Sequence, residues 1–180
     1  SDDVWIKKPL DIGAAGVLVP MVNTAAVAAH VARACKYAPA GTRGMGLARA
    51  HSYGAGFEGY VAQANDRVAV IVQAEHIEAV ENIEAIVRVP GLDAIFVGPY
   101  DLSASMGKPG QVSDPDVQAA IRRVRDAALA AGVQLGIYCS DAKAARGFLQ
   151  QGYTLIGMST DLNYLAQAAG DALAAAKQKA

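Results

Sequence analysis

Five short apolar runs constrain this chain more than any other feature: GVLVPMV (16–22), VAVIVQAE (68–75), DAIFVGP (93–99), VQLGIYC (133–139) and TLIGMST (154–160). Their apolar character is nearly continuous. A strand with one wet face alternates apolar and polar side chains, whereas a strand buried on both faces does not, and burial on both faces is the habit of parallel sheets. Helical patterns lie between the runs, over 24–37, 75–89, 114–132, 141–152 and 161–180, with a further one over 2–13. The pattern at 114–132 opens on Asp114, has Pro115 in its first turn and closes on Gly132, each suited to that end of a helix. Such alternation predicts a parallel sheet with right-handed crossovers. An open doubly wound sheet and a (β/α)8 barrel both satisfy it. No run is followed by the glycine fingerprint of a dinucleotide site, which weakens the first. A barrel needs eight strands, and the chain, starting on a helix, reads as the last five-eighths of one. We read residues 1–180 as a single domain, with no linker or low-complexity tract.

Composition narrows the function classes. The chain has 180 residues, of which 53% are hydrophobic and 18% charged, with a net charge of −1, so neither a nucleic-acid footprint nor an anionic membrane surface is indicated. No apolar run reaches the roughly 18 residues of a membrane span. The opening SDDVWIKK does not read as a signal peptide. Cys35 and Cys139 lie far apart with no CxxC spacing, which fits a reducing, cytoplasmic setting.

Function in either architecture gathers at the C-terminal ends of the strands. Three acids sit there: Glu75, Asp101 and Asp161. Glu75 ends VIVQAE, and strand alternation turns Gln73 to the same side. Asp101 follows the next run, one β/α unit later. Adjacent strands lie about 4.8 Å apart, so the two carboxylates can meet. Two anions that close repel unless a cation or a shared proton intervenes. A hard divalent ion with oxygen ligands fits. Each acid also has a plainer reading: Glu75 as a helix N-terminal acid complementing the dipole, Asp101 as an N-cap on a short turn. The pair, with polar Gln73 in an apolar run, favours the metal. Asp161 directly precedes the last helix, and capping is its reading.

LDIGAAGVLVPMV, APAGTRGMGLARAHSYG, VQAEHIEAVENIEAI and DAIFVGPYDLSASMG, in this order and at these spacings, resemble the HpcH/HpaI family of class II pyruvate aldolases over nearly the whole chain. The resemblance implies a (β/α)8 barrel of the phosphoenolpyruvate/pyruvate superfamily. It also implies reversible cleavage of a 2-keto-3-deoxy (4-hydroxy-2-oxo) acid to pyruvate and an aldehyde. Glu75 and Asp101 become ligands of Mg2+, Mn2+ or Co2+, with Gln73 beside them. The backbone around Gly98, Pro99 and Tyr100 becomes a cradle for the pyruvate carboxylate. The assembly implied is a hexamer, a trimer of dimers that exchange their last helix. Such barrels run to about 250 residues. The family's catalytic histidine and keto-binding arginine therefore fall upstream of Ser1, within on the order of 70 residues and three strands that this chain does not hold. Two other readings stay open: an acyl-CoA lyase of the citrate lyase β type, and a non-catalytic barrel fragment.

Other polar residues have two-sided readings. The glycine-rich segment 41–56 is expected after a strand, on the functional face. Its Arg43 and Arg49 bind an anionic substrate or join subunits, or else belong to a mobile lid; His51 lies in the same segment. His76 heads a helix and points away from Glu75. His30 is an ordinary helix residue, Tyr100 shapes the aldehyde pocket, and Cys139 packs.

Overall fold

The structure, a computed structural model, describes residues 2–177. Its five strands are β1 (Gly16–Val19), β2 (Ala69–Ala74), β3 (Ala94–Val97), β4 (Gln134–Cys139) and β5 (Leu155–Met158). All pair in parallel, in the order β1-β2-β3-β4-β5. This order decides between the two architectures. A doubly wound sheet reverses direction at a switch point, and this sheet does not. It is part of a (β/α) barrel.

The helices are α1 (Asp3–Asp11), α2 (Ala25–Cys35), α3 (Phe57–Arg67), α4 (Ile77–Glu81), α5 (Ile83–Ile86), α6 (Pro99–Ser105), α7 (Pro115–Ala131), α8 (Ala142–Leu149) and α9 (Asp161–Lys177); the outer face of the sheet is covered by the earlier ones, whereas α9 stands exposed. The outward side chains Val70, Val72, Ile95, Val97, Leu135 and Ile137 are buried against Leu10, Val31, Ile83, Val117 and Val124 in one core. Strand alternation puts Leu18, Ile71, Phe96, Tyr138 and Leu155 on the other, concave face. There Leu18 and Leu155 remain 41% and 37% exposed. Phe96 lies across this face: a Cβ at Gly136 would come within 2.5 Å of its ring, and one at Gly157 within 3.1 Å. Glycine at both positions makes room for it.

Several elements depart from the sequence expectation. Strand β1 stops at Val19, because Pro20 follows and Met21 turns to φ 55°. The pattern over 75–89 is two helices, broken at Asn82, whose amide donates to Asn23 O at 3.0 Å. Helix α3 was unforeseen; only Ala64 in it is buried, so it lacks an apolar stripe to read. Helix α6 replaces the expected short turn. Residues 178–180 of the last helical pattern lie outside the described residues.

The segment 41–56 is also displaced from its expected place. It follows α2 rather than a strand, so it lies at the N-terminal end of the sheet, away from Glu75 and Asp101 of the same chain. Arg43 is buried there. Its guanidinium donates to Asp11 Oδ1 at 3.0 Å and Tyr60 OH at 3.2 Å, and sits over the Tyr37 ring. Burial works against its charge, and the bonds to Tyr60 and Asp11 more than offset that, holding its pKa above the ordinary value. His51 is buried beside Phe57 and Tyr60, and its Nε2 contacts Ala48 N and Gly46 O. Arg49 is exposed.

Candidate active site

Glu75 is the first residue beyond β2, and it is 4% exposed. Two contacts fix its carboxylate. Oε1 accepts from Met21 N at 2.9 Å, and Oε2 accepts from the Gln73 amide. Met21 presents its N–H from a left-handed backbone, an uncommon state for a side chain of its size. Gly98 closes the far side. A Cβ there would lie 2.8 Å from Gln73 Nε2, Glu75 Cβ and Glu75 Oε2. Glycine is required because any larger residue would fill the space beside the carboxylate.

Gly98 caps α6 and Pro99 is its first residue, where a missing N–H costs nothing. Asp101 therefore lies inside the first helical turn and is not the N-cap. The Gly98 N–H donates to Ala74 O at 3.3 Å, and proline has none. Of the expected carboxylate cradle, the free backbone donor is thus Tyr100 N. Asp101 faces Glu75. Burial pushes the Glu75 carboxyl up from its ordinary value; the Met21 N–H works against this, and the like charge of Asp101 adds to it. Neither acid forms an ion pair among the described residues.

The donor set fits a divalent cation. Two carboxylates converge without a protein cation, and the buried one is oriented by two hydrogen bonds. No group of three or more His, Cys, Asp or Glu that could hold a metal occurs among the described residues, so water or substrate would complete the coordination.

Three residues that the sequence reading passed over shape this site. Met21 is one. Ser105 is another: its Oγ accepts from Ile77 N at 3.0 Å and donates to Leu102 O at 2.7 Å, tying the segment after Glu75 to the helix that carries Asp101. A serine near the end of a short helix, able to bond back to a carbonyl, was the available signal. Tyr138 is the third, packed edge-to-face on Tyr100 at 6.1 Å. With Gln73, Phe96, Gly98, Pro99 and Asp101, the two tyrosines line a cavity of about 250 Å³.

The remaining candidates fall elsewhere. His76 is the N-cap of α4, its Nδ1 accepting from Glu78 N at 3.2 Å. His30 pairs with Asp3 at the surface. Cys139 is buried, its thiol pushed up by burial. Thr160, not Asp161, caps the last helix: Thr160 Oγ1 accepts from Asn163 N at 3.2 Å, and Asp161 begins the helix exposed.

A concave parallel sheet with acids meeting at the C-terminal ends of its strands is the arrangement of β/α-barrel enzymes. Residues 1–168 match the family model described as HpcH/HpaI aldolase/citrate lyase, and the chain belongs to that family. It is 45% identical over 170 residues to a hydroxypyruvate/pyruvate aldolase of Chromohalobacter salexigens, covering 93% of this chain and 66% of that one. It is 42% identical over 177 residues to a 4-hydroxy-2-oxo-heptane-1,7-dioate aldolase of Shigella sonnei, covering 97% of this chain and 67% of that one. A solved HpcH/HpaI aldolase/citrate lyase family protein from Burkholderia cenocepacia J2315 superposes with a TM-score of 0.93 at 38% identity, over 98% of this chain and 70% of that one. The chain thus spans 61–66% of the length of the hydroxypyruvate/pyruvate aldolases it matches.

Proposed function

We propose that this chain forms the pyruvate-binding side of an aldolase that reversibly cleaves a 4-hydroxy-2-oxo acid to pyruvate and an aldehyde. The observation that carries the reading is the convergence of Glu75 and Asp101, like charges with no protein cation beside them, at the mouth of the sheet. The names of the relatives support the same chemistry.

Glu75 and Asp101 would hold Mg2+, Mn2+ or Co2+. Such an ion, when bound, supplies Lewis-acid stabilisation of the negative charge that develops on a 2-oxo acid as the aldol bond breaks. The residues of the chain bind and orient. Gln73 holds Glu75 with one amide N–H, leaving its second N–H and its carbonyl for the substrate. Tyr100 N is directed to the carboxylate, with Gly98 and Pro99 shaping the turn. Phe96 and Tyr138 keep water from the concave side. No described histidine serves as the base: His76 caps a helix, His30 pairs at the surface and His51 is buried at the other end of the sheet. The proton relay and the polarising arginine are assigned to the residues that the resemblance places upstream of Ser1.

Oligomerisation belongs to the same proposal. No residue of α9 is buried, and its Leu162, Tyr164, Leu165 and Leu173 are exposed. An exchanged last helix in a hexamer, a trimer of dimers, would cover them. No helix among the described residues is long and apolar enough to cross a membrane. The free thiols Cys35 and Cys139 fit a cytoplasmic setting.

The test is pyruvate release from a 4-hydroxy-2-oxo acid by the full-length protein, after EDTA treatment and after adding back each metal. Release is expected to disappear and return; release that survives chelation overturns the metal. An acyl-CoA lyase would need basic residues at the mouth for nucleotide phosphates, and among the described residues none lines this cavity.

A further inference from the structure

A second cavity, of about 240 Å³, adjoins the first. Pro99, Tyr100 and Tyr138 line both, and the edge-to-face pair of Tyr100 and Tyr138 forms the partition between them. Tyr100 is 50% exposed, so its ring has free space beside it. Beyond the partition the apolar walls are Val112, Ile121, Ala144 and Phe148, with Ser113, Gln118, Cys139 and Ser140 between them. They come from the region of α7 and α8 beside β3 and β4, in the middle of the sheet rather than at either edge.

The chemistry of this chamber is one-sided. Among the described residues, none that lines it carries a charge. Three of its polar side chains are engaged already: the Gln118 amide donates to Val112 O at 2.8 Å, Ser140 Oγ to Asp141 Oδ2 at 3.2 Å, and Cys139 Sγ to Asp141 O at 3.7 Å. A carboxylate entering here would lose its water and meet no cation, which is costly. A hydrocarbon chain entering here would leave water for apolar walls, which is favourable.

We propose that this side chamber receives the carbon chain of the aldehyde, and that the preferred partner is an uncharged, unbranched aliphatic aldehyde rather than one ending in a carboxylate. The inference rests on the aldolase reading above. Pyruvate would occupy the cavity lined by Gln73, Gly98 and Asp101, and the chain of the aldehyde would pass between Tyr100 and Tyr138.

The test uses the full-length protein with Mg2+ and measures kcat/KM for addition of pyruvate to acetaldehyde, propanal, butanal, pentanal, hexanal and succinic semialdehyde. From propanal to hexanal kcat/KM is expected to rise about fourfold per methylene until the chamber is filled. Succinic semialdehyde is expected to fall below butanal. Ala144→Phe, which fills the chamber, should lower the ratio of hexanal to acetaldehyde at least tenfold within the one variant, a ratio that partial unfolding does not move. If that variant does not fold, the wild-type series decides. A flat series, a preference for succinic semialdehyde, or an unchanged ratio in Ala144→Phe overturns the proposal. Deuterium exchange at the pyruvate methyl, without any aldehyde, separates the two failures. Exchange with a flat series overturns only the chamber, and absence of exchange in the wild type overturns the aldolase reading with it.

Discussion

Two charge clusters, each built on one buried side chain, occupy opposite ends of the same sheet, and they follow opposite rules. At the N-terminal end Arg43 meets Asp11, Tyr60 and Tyr37, so its charge is neutralised and hydrogen-bonded within the chain. At the C-terminal end Glu75 meets Asp101, and the nearest charge has the same sign. The first arrangement is balanced in charge without any ligand, with only the Arg43 Nε left without a hydrogen-bond partner in that side chain. The second is unfavourable for the folded protein alone and becomes favourable once a cation arrives. Of these two clusters, the one with unbalanced charge stands at the end where strands deliver function, while the other joins α1, the segment after α2, and α3.

The sharpest way to break this contrast is at Arg43. Arg43→Met should leave Asp11 with Lys7 as its cationic partner, remove the bonds to Asp11 and Tyr60, and cost about 3 kcal/mol of stability in urea unfolding. A variant as stable as wild type would refute a structural role for that cluster. Glu75→Gln should act in the reverse sense. Its amide oxygen still accepts from Met21 N, so the fold should hold, while Mn2+ binding by calorimetry is lost and activity falls on the order of 10³-fold. Asp101→Asn should do the same. An unfolded Glu75→Gln would mean that the acid serves the fold.

Ser105→Ala sharpens the comparison more gently. It removes the hydroxyl that joins the Ile77 N–H to α6, and should cost about 1–2 kcal/mol and weaken metal affinity about 10–100-fold. Loss of stability with unchanged affinity would show that Ser105 braces the fold without positioning the acids.

The smallest effect is on pH dependence. The Glu75 carboxyl is raised above its ordinary 4.5, so the folded state holds this proton more tightly than the unfolded state. In metal-free protein its contribution therefore weakens as pH rises from about 4.5 through the higher folded value, and the full penalty stands above that value. Urea titrations across this window should show a decline that Glu75→Gln flattens. Metal affinity should run the other way, rising with pH as the carboxyl ionises.

Much of this was legible in the sequence, because it is local. The apolar runs mark the strands, and Gly98 with Pro99 marks where one of them stops. Glu75 and Asp101 can be found at strand ends by counting. Asp161 reads as a cap in the sequence, but Thr160, one residue earlier, takes that role. The segment 41–56 resembles a strand-end loop in its glycines and arginines, but the helix before it, already marked by the pattern over 24–37, sets it at the opposite end of the sheet.

By itself, the sequence determined that the sheet is parallel, that its strands are covered by helices, and that two acids and a glutamine stand at neighbouring strand ends. These follow from periodicity and from the single residues that end each element. Only the tertiary structure decided which face of the sheet each acid meets, that the Met21 N–H, 54 residues away, orients Glu75, and that Ser105 reaches back 28 residues to Ile77. It also decided that Arg43 is paired and Glu75 is not. Those outcomes depend on which distant groups the fold brings within hydrogen-bonding distance, and no local pattern in the chain encodes that distance.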